Sequence, residues 1–266
     1  MRYLAAVGYA TMIATTLFAS TLANAALIHN YELNGTLSDT LGGPMLAPIN
    51  RNSTNADGSL GATGFTFPTN AGLQLSSGLS PGSIANYSVQ MRFSLDSITT
   101  NGGPLAPDWP WVRILDFKNG ASDLGLYDYA GDIQFYPYVT GSTIFLAGTP
   151  VDIIITRDGV TNLFNVYAGG SNVLSLLDSS GDAIFDATNN VMNFFVDDTV
   201  VADEASSGFV DFIRVFDSPI TAVNARCLQT GDPAACGIPN GVPEPATLAL
   251  LGLGLAGIGL GRRRRR

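Results

Sequence analysis

Tyr87-Ser88-Val89-Gln90-Met91-Arg92-Phe93-Ser94-Leu95 is the stretch whose reading decides the fold. Its odd positions are apolar and its even positions polar. Successive side chains of an extended strand point to opposite faces, so this pattern gives one buried and one wet face. Working outward, from Ala26 to about Arg226 short apolar or alternating runs recur between Gly, Asn, Asp and Pro clusters, with no sustained 3.6-residue apolar period. Further strands are expected over 27–33, 64–67, 111–117, 124–129, 133–136, 151–157, 161–168, 173–177, 191–196 and 209–216. Asp158-Gly159 lies between two of them and predicts a hairpin whose tight turn uses the positive φ that glycine tolerates. So many strands exceed what one twisted open sheet carries, so two stacked antiparallel sheets sharing one core are expected. No linker or internal repeat divides this body.

Both ends of the 266 residues read as targeting segments. At the start, Arg2 is followed by the apolar stretch 4–18. Ala23-Asn24-Ala25 then offers small residues where a signal peptidase reads, so residues 1–25 are expected to be a signal peptide cleaved after Ala25. At the other end, Val242-Pro243-Glu244-Pro245 precedes an uncharged Leu- and Gly-rich run over 246–261, and the chain closes on Arg262, Arg263, Arg264, Arg265 and Arg266. As a helix that run would span roughly 24 Å, short of the roughly 30 Å hydrocarbon layer. The five arginines are too costly to cross a bilayer and hold this end in the cytoplasm. Taken together, 242–266 resembles the PEP-CTERM sorting signal. The resemblance implies processing by an exosortase near Pro-Glu-Pro, transient anchoring in the inner membrane, and release to the outer surface or extracellular matrix of a Gram-negative bacterium that makes exopolysaccharide.

Without the ends, the body is acidic. Arg2 and the terminal arginines take six of the 13 basic residues and Glu244 one of the 22 acidic ones, leaving a body of about −14. Nucleic acid is excluded as a partner, because affinity there comes from Lys and Arg neutralising phosphates. Cys227 and Cys236 stand close together in a Gly- and Pro-containing stretch bound for an oxidising compartment. A disulfide is the favoured reading, with free or partner-linked thiols as the alternatives. The segment 227–241 is expected to be a linker between a domain over 26–226 and the sorting signal.

Several phrases of the body resemble the laminin-G/concanavalin-like family in its usual order. Ile28-His29-Asn30-Tyr31-Glu32-Leu33-Asn34-Gly35 is similar to its opening strand and Tyr87 to Phe93 to its first long central strand. Ile155-Thr156-Arg157-Asp158-Gly159 with Phe164-Asn165-Val166-Tyr167-Ala168-Gly169-Gly170 is similar to its central hairpin, and Phe209-Val210-Asp211-Phe212-Ile213-Arg214-Val215-Phe216-Asp217 to its closing strand. The resemblance implies an all-β jelly-roll β-sandwich of a kind used for glycan binding, adhesion and, in some relatives, polysaccharide cleavage.

The chemistry-bearing residues favour binding over catalysis. Most glycosidases need two carboxyl groups across a sugar, and the body's only glutamates, Glu32 and Glu204, stand far apart. His29, the single histidine, accompanies no nucleophile-elbow motif and is expected to be a packed or surface strand residue. Asp197, Asp198, Asp203 and Glu204 follow an apolar run and make a candidate calcium loop, since hard Ca2+ takes six to eight oxygens; solvated acids are the alternative. Asp211, within a nearly continuous apolar strand, is a second metal candidate. It needs an arginine, backbone donors or a cation as partner, and alternation puts Arg214 on the opposite face, so that partner is expected on another strand. Trp109, Tyr127 and Tyr129 are candidate glycan contacts; Trp109 is the loop candidate, while Trp111, Phe135 and Tyr127 are also expected to fill the core. The expected role is a non-enzymatic surface or matrix protein that binds exopolysaccharide or a surface protein. The rivals are a polysaccharide-active enzyme using Asp116, Asp123 and Asp128, and a structural matrix component without a specific ligand.

Overall fold

The structure, a computed structural model, describes residues 25–51, 56–99, 109–186, 188, 190–201 and 203–231. Residues 1–24, Cys236, the Pro-Glu-Pro motif and the arginine cluster lie outside the described residues, so the signal-peptide and sorting-helix expectations fall there. No helix among the described residues is long and apolar enough to cross a membrane.

Two antiparallel sheets form the body. The first runs in the order β13 (Ser171–Leu177), β12 (Leu163–Ala168), β11 (Val151–Arg157), β6 (Tyr87–Leu95), β15 (Gly208–Phe216), β4 (Phe65–Phe67) and β3 (Ser59–Leu60), and β1 (Leu27–Tyr31) also pairs with β15. The second runs β10 (Val139–Thr143), β9 (Asp132–Tyr136), β8 (Gly125–Tyr129), β7 (Trp111–Asp116), β14 (Val191–Phe194), β5 (Ala71–Ser76) and β2 (Ala47–Asn50). Between them lies one apolar core. Val89, Met91, Phe93, Ile153, Ile155, Ile213 and Val215 come from the first sheet, and Leu73, Leu75, Ile114, Leu126, Phe135 and Phe194 from the second. Burial of these side chains is the main stabilising term, at roughly 25 cal/mol per Å² of apolar surface.

β6 buries its apolar positions as its alternation requires, but its second face is not wet. Ser88 and Gln90 are fully buried and only Arg92 is exposed. Ser88 accepts from the Ile220 N–H and donates to the Ser218 carbonyl, while Gln90 donates to Asp152. The cover is the return of the chain through a helix, α1 (Ala222–Thr230), N-capped by the Thr221 hydroxyl accepting from the Asn224 N–H. Under it Ile154, Tyr167, Phe216, Ile220, Ala225 and Leu228 form a second, smaller apolar cluster with Ala25. The helix runs through residue 226, so the domain boundary expected there is corrected: the packed unit extends to Thr230. Cys227 sits in this helix and is engaged in a disulfide.

The hairpin between β11 and β12 is present, with Ile155 opposite Val166. Its turn differs from expectation. Asn162, not Gly159, takes the left-handed conformation, at φ 58°, and the Asp158 carboxylate caps the turn by accepting from the Val160 and Thr161 N–H groups. Gly159 matters for space: a Cβ there would stand 3.1 Å from the Ala85 carbonyl oxygen.

A second close approach sits where β5 meets β14. A Cβ on Gly72 would fall onto the Phe194 carbonyl oxygen and press on Val196. Gly72→Ala is therefore expected to destabilise the domain by about 2 kcal/mol, by forcing backbone apart in a core pairing. Urea unfolding of the variant checks this; a change below about 0.5 kcal/mol would mean that the two strands separate at no cost.

Candidate functional site

The second sheet's outer face carries the polar and aromatic residues. Register sets them in rows: Trp111 lies opposite Tyr129, Arg113 opposite Tyr127, Asp116 opposite Gly125, and Tyr127 opposite Gln134. A bulge between Arg113 and Leu115 lets Ile114 and Leu115 both join the core and returns Asp116 to the outer face beside Asn193.

Arg113 is the centre of this face and is buried. Its guanidinium donates to the Asp123 carbonyl at 3.1 Å, the Leu124 carbonyl at 3.3 Å, the Tyr127 hydroxyl and the Asp198 carboxylate. It lies 3.6 Å from carboxylate oxygens of Asp123 and Asp197 and 3.9 Å from Asp116. Gly125 is what makes room, since a Cβ there would stand 2.7 Å from Nη1. The guanidinium also lies over the Tyr127 ring, 4.5 Å from its centroid.

The loop that follows β14 folds over Arg113 and is held from several sides. Asp197 accepts from the Asp198 and Glu204 N–H groups, and Asp198 from the Val200 and Val201 N–H groups. The Glu204 carbonyl accepts from the Arg113 N–H, Thr199 bonds to the Gly120 carbonyl, and Arg51 donates to the Asp197 carbonyl. Burial pushes the Asp197 carboxyl up to about 6 and the Glu204 carboxyl up to about 8, the latter with help from Asp123 and Asp197. Glu204 Oε2 is buried and has no hydrogen-bond partner.

Beside this cluster lies an aromatic patch. The Trp111 ring meets Tyr129 at 4.4 Å, Tyr136 edge-on at 4.9 Å and Tyr127 edge-on at 5.6 Å. Trp111, Tyr129 and Tyr136 are half-buried, and Trp109 and Tyr138 are exposed.

Several sequence expectations change here. Asp197, Asp198 and Glu204 do come together, joined by Asp123, whereas Asp203 is exposed and takes φ 75°. Asp211 belongs to a different place: on the first sheet it faces Arg92 at 3.6 Å, so its partner is an arginine of a neighbouring strand. A bulge between Val210 and Phe212 adds one residue to β15, so Asp211 and Phe212 are both partly exposed and Arg214 shares the outer side with them. Arg214 there lies over the Phe212 ring and donates to Glu32. Tyr127 is fully buried, which removes it from the candidate glycan contacts, and Trp111 belongs to the outer patch instead of the core. The Asp116, Asp123 and Asp128 set does not converge. Asp116 and Asp123 face Arg113, while register turns Asp128 to the inner side, where one oxygen accepts from the Gly131 N–H at 2.6 Å and the other has no partner. His29 is a packed strand residue, its two ring nitrogens set against the Asp39 carboxylate at 2.7 Å and the Gly78 carbonyl at 2.8 Å.

Arg113 and Asp123 were not among the metal or binding candidates drawn from the sequence. One signal existed: an arginine in the middle of Trp111-Val112-Arg113-Ile114-Leu115 must find anions if that strand is buried.

The fold and this face define an all-β sandwich of two antiparallel sheets, with a buried charge cluster and an aromatic patch on one outer side. Residues 241–266 match the PEP-CTERM protein-sorting motif, which implies exosortase-dependent export and membrane-anchored sorting in Gram-negative bacteria. A comparison with curated proteins finds no match. Among solved structures the fold is similar to domain 4 of AbnA, a GH43 extracellular arabinanase from Geobacillus stearothermophilus, in complex with arabinotriose. The TM-score is 0.55 at 19% identity, over 78% of this chain and 100% of that one. It is also similar to Trypanosoma rangeli sialidase in complex with 2,3-difluorosialic acid, with TM-score 0.54 at 13% identity, over 77% of this chain. The chain spans only 33% of that sialidase. At these identities the likeness concerns the β-sandwich fold alone.

Proposed function

We propose that this exported sandwich is a non-catalytic module that binds polysaccharide on the outer face of its second sheet. The observation that carries the reading is the partly exposed patch of Trp111, Tyr129 and Tyr136 flanked by Trp109, set on strands that the Arg113 cluster stiffens. Aromatic faces offer a sugar ring a large contact area at low entropic cost. The similar arabinanase domain, solved with arabinotriose, supports a glycan over a protein ligand. The non-catalytic part rests on the carboxylates: Asp198 and Glu204 are buried beneath their own loop, and Glu32 pairs with Arg214 on the other sheet, so these three acids do not face one another across an open cleft.

The laminin-G/concanavalin-like jelly-roll assignment belongs to the same proposal. Its support is that the resembling phrases fall on β1, β15, β6, β11 and β12, which are neighbours in one sheet. After sorting, the protein would reside on the outer surface or in the exopolysaccharide matrix.

Affinity electrophoresis and calorimetry of the purified chain against the host exopolysaccharide, arabinan and a sialylated glycan test the reading. Saturable binding to a polysaccharide is expected, at least tenfold weaker in Trp111→Ala and in Tyr129→Ala, a loss of about 1.4 kcal/mol each, with unfolding midpoints checked alongside. No binding to any polymer would sink it and favour a protein partner or a structural role.

A further inference from the structure

The outer side of the first sheet carries a cavity at the end of β15 that α1 leaves open. Phe209 lies roughly 20 Å along that strand from Phe216, which packs in the small cluster under the helix. Thr63, Arg92, Phe93, Pro150, Phe209 and Asp211 line a space of about 230 Å3 there. Drug-sized ligands occupy roughly 300–1,000 Å3, so this one has room for a single small ring.

Register assembles its polar floor. Arg92 on β6 opposes Phe212 on β15, and the bulge between Val210 and Phe212 inserts Asp211 beside it. The guanidinium Nε stands 3.6 Å from the Asp211 carboxylate, too far for a hydrogen bond, and the two side chains are 50% and 43% exposed. Among the described residues neither side chain makes a hydrogen bond, which leaves a fork of N–H donors and a pair of carboxylate oxygens unused at one spot. An exposed pair of this kind adds little to stability. Phe209 and Pro150 form the apolar walls. A Cβ on Gly64 would run into the Phe209 ring, so that ring rests against bare backbone just before β4 and is held as a fixed platform.

We propose that this cavity binds one neutral sugar residue of a polysaccharide. A pyranose or furanose ring has an apolar face for Phe209 and Pro150, and adjacent hydroxyls that donate to Asp211 and accept from Arg92. The pair also selects by charge: Asp211 repels a carboxylated sugar, Arg92 repels a cation, and a neutral polyol satisfies both. One ring in so small a site is expected to bind with a Kd of about 1 mM. The site stands whether or not the aromatic patch of the second sheet binds glycan. Where both are occupied, a single module holds two polysaccharide chains on opposite layers and cross-links them.

Saturation-transfer NMR on the full chain carrying Trp111→Ala tests the site by itself. Arabinotriose, maltotriose and cellotriose are the neutral probes and sialyllactose the charged one. At least one neutral trisaccharide is expected to show saturable transfer with a midpoint near 1 mM, roughly tenfold stronger than sialyllactose. Adding Arg92→Gln or Phe209→Ala should abolish it, whereas Leu177→Ser, exposed at the edge strand of the same sheet, should leave it unchanged. Circular dichroism establishes that each variant is folded. Arg92→Gln, at the exposed position, provides the test if Phe209→Ala does not fold, and Tyr129→Ala replaces Trp111→Ala if that variant does not. Binding by wild type but none by folded Trp111→Ala would overturn this site and leave the aromatic patch standing; no binding by either would overturn both. Transfer that survives Arg92→Gln and Phe209→Ala, or sialyllactose bound as tightly as the neutral sugars, would also overturn the proposal.

Discussion

Arg113→Met is expected to lower stability at pH 7 by about 3–5 kcal/mol, the loss typical of stripping one partner from a buried charge network. The side chain it replaces donates to Asp198, Tyr127 and the carbonyls of Asp123 and Leu124 at once, and methionine restores the volume but no donor. Four carboxylates would then face one another without the guanidinium between them. Arg113→Lys should recover only part of the loss, because a single ammonium cannot reach a forked set of acceptors. Denaturant unfolding of the three proteins in chelator decides it. A methionine variant within about 1 kcal/mol of wild type would show that the cluster is neutralised by other means.

The second large effect is a pH dependence and belongs to Asp128. Burial pushes its carboxyl up to about 7, with Asp132 adding repulsion and the Gly131 N–H opposing. The folded chain therefore holds this proton more tightly than the unfolded chain, whose aspartates titrate near 4. The resulting stability is fully present below about pH 4 and is lost as pH rises through 7, on the order of 4 kcal/mol in all. Asp197 and Glu204 act in the same direction, with folded values of about 6 and 8. Asp39 opposes them at the acid end, its carboxyl held low by the Asn30 N–H and His29 despite its burial. In Asp128→Asn the fall in stability between pH 4 and 7 should shrink by roughly a third, since Asn keeps an acceptor for Gly131 and carries no charge, while Asp197 and Glu204 still contribute their share. Unfolding curves at pH 4.5, 6 and 7.5 in chelator measure it; parallel profiles for the two proteins would refute the assignment.

The strands that the sequence announces are those with a strong contrast between faces or a continuous apolar run, such as β6, β11 and β15. β2, β5 and β10 were not expected, for identifiable reasons. β2 contains Pro48, β5 reaches its pairing through Gly72, and β10 reads Val139-Thr140-Gly141-Ser142-Thr143 with hardly an apolar residue. An edge strand such as β2 or β10 needs little burial of its own, because one side of its backbone is satisfied by a stronger neighbour. The bulges at Arg113 and Asp211 were equally hidden, since one inserted residue leaves composition unchanged while reversing which side the following residues face. The acidic half of the charge cluster was legible because Asp197, Asp198 and Glu204 lie together in sequence. The other half was not, because Arg113 and Asp123 come from a strand and a turn more than 70 residues earlier, and only sheet register brings them beneath that loop.

The covering of β6 by the helix near residue 230 has a geometric consequence for a chain held by its tail. Ala25 and Leu27 pack into the same small cluster as Ala225 and Leu228, so both ends of the sandwich leave from one corner, on the back of the first sheet. The aromatic side lies on the opposite layer. A tether at the C-terminal end therefore attaches on the layer opposite Trp111 and Tyr129, and the point of attachment leaves that aromatic side uncovered.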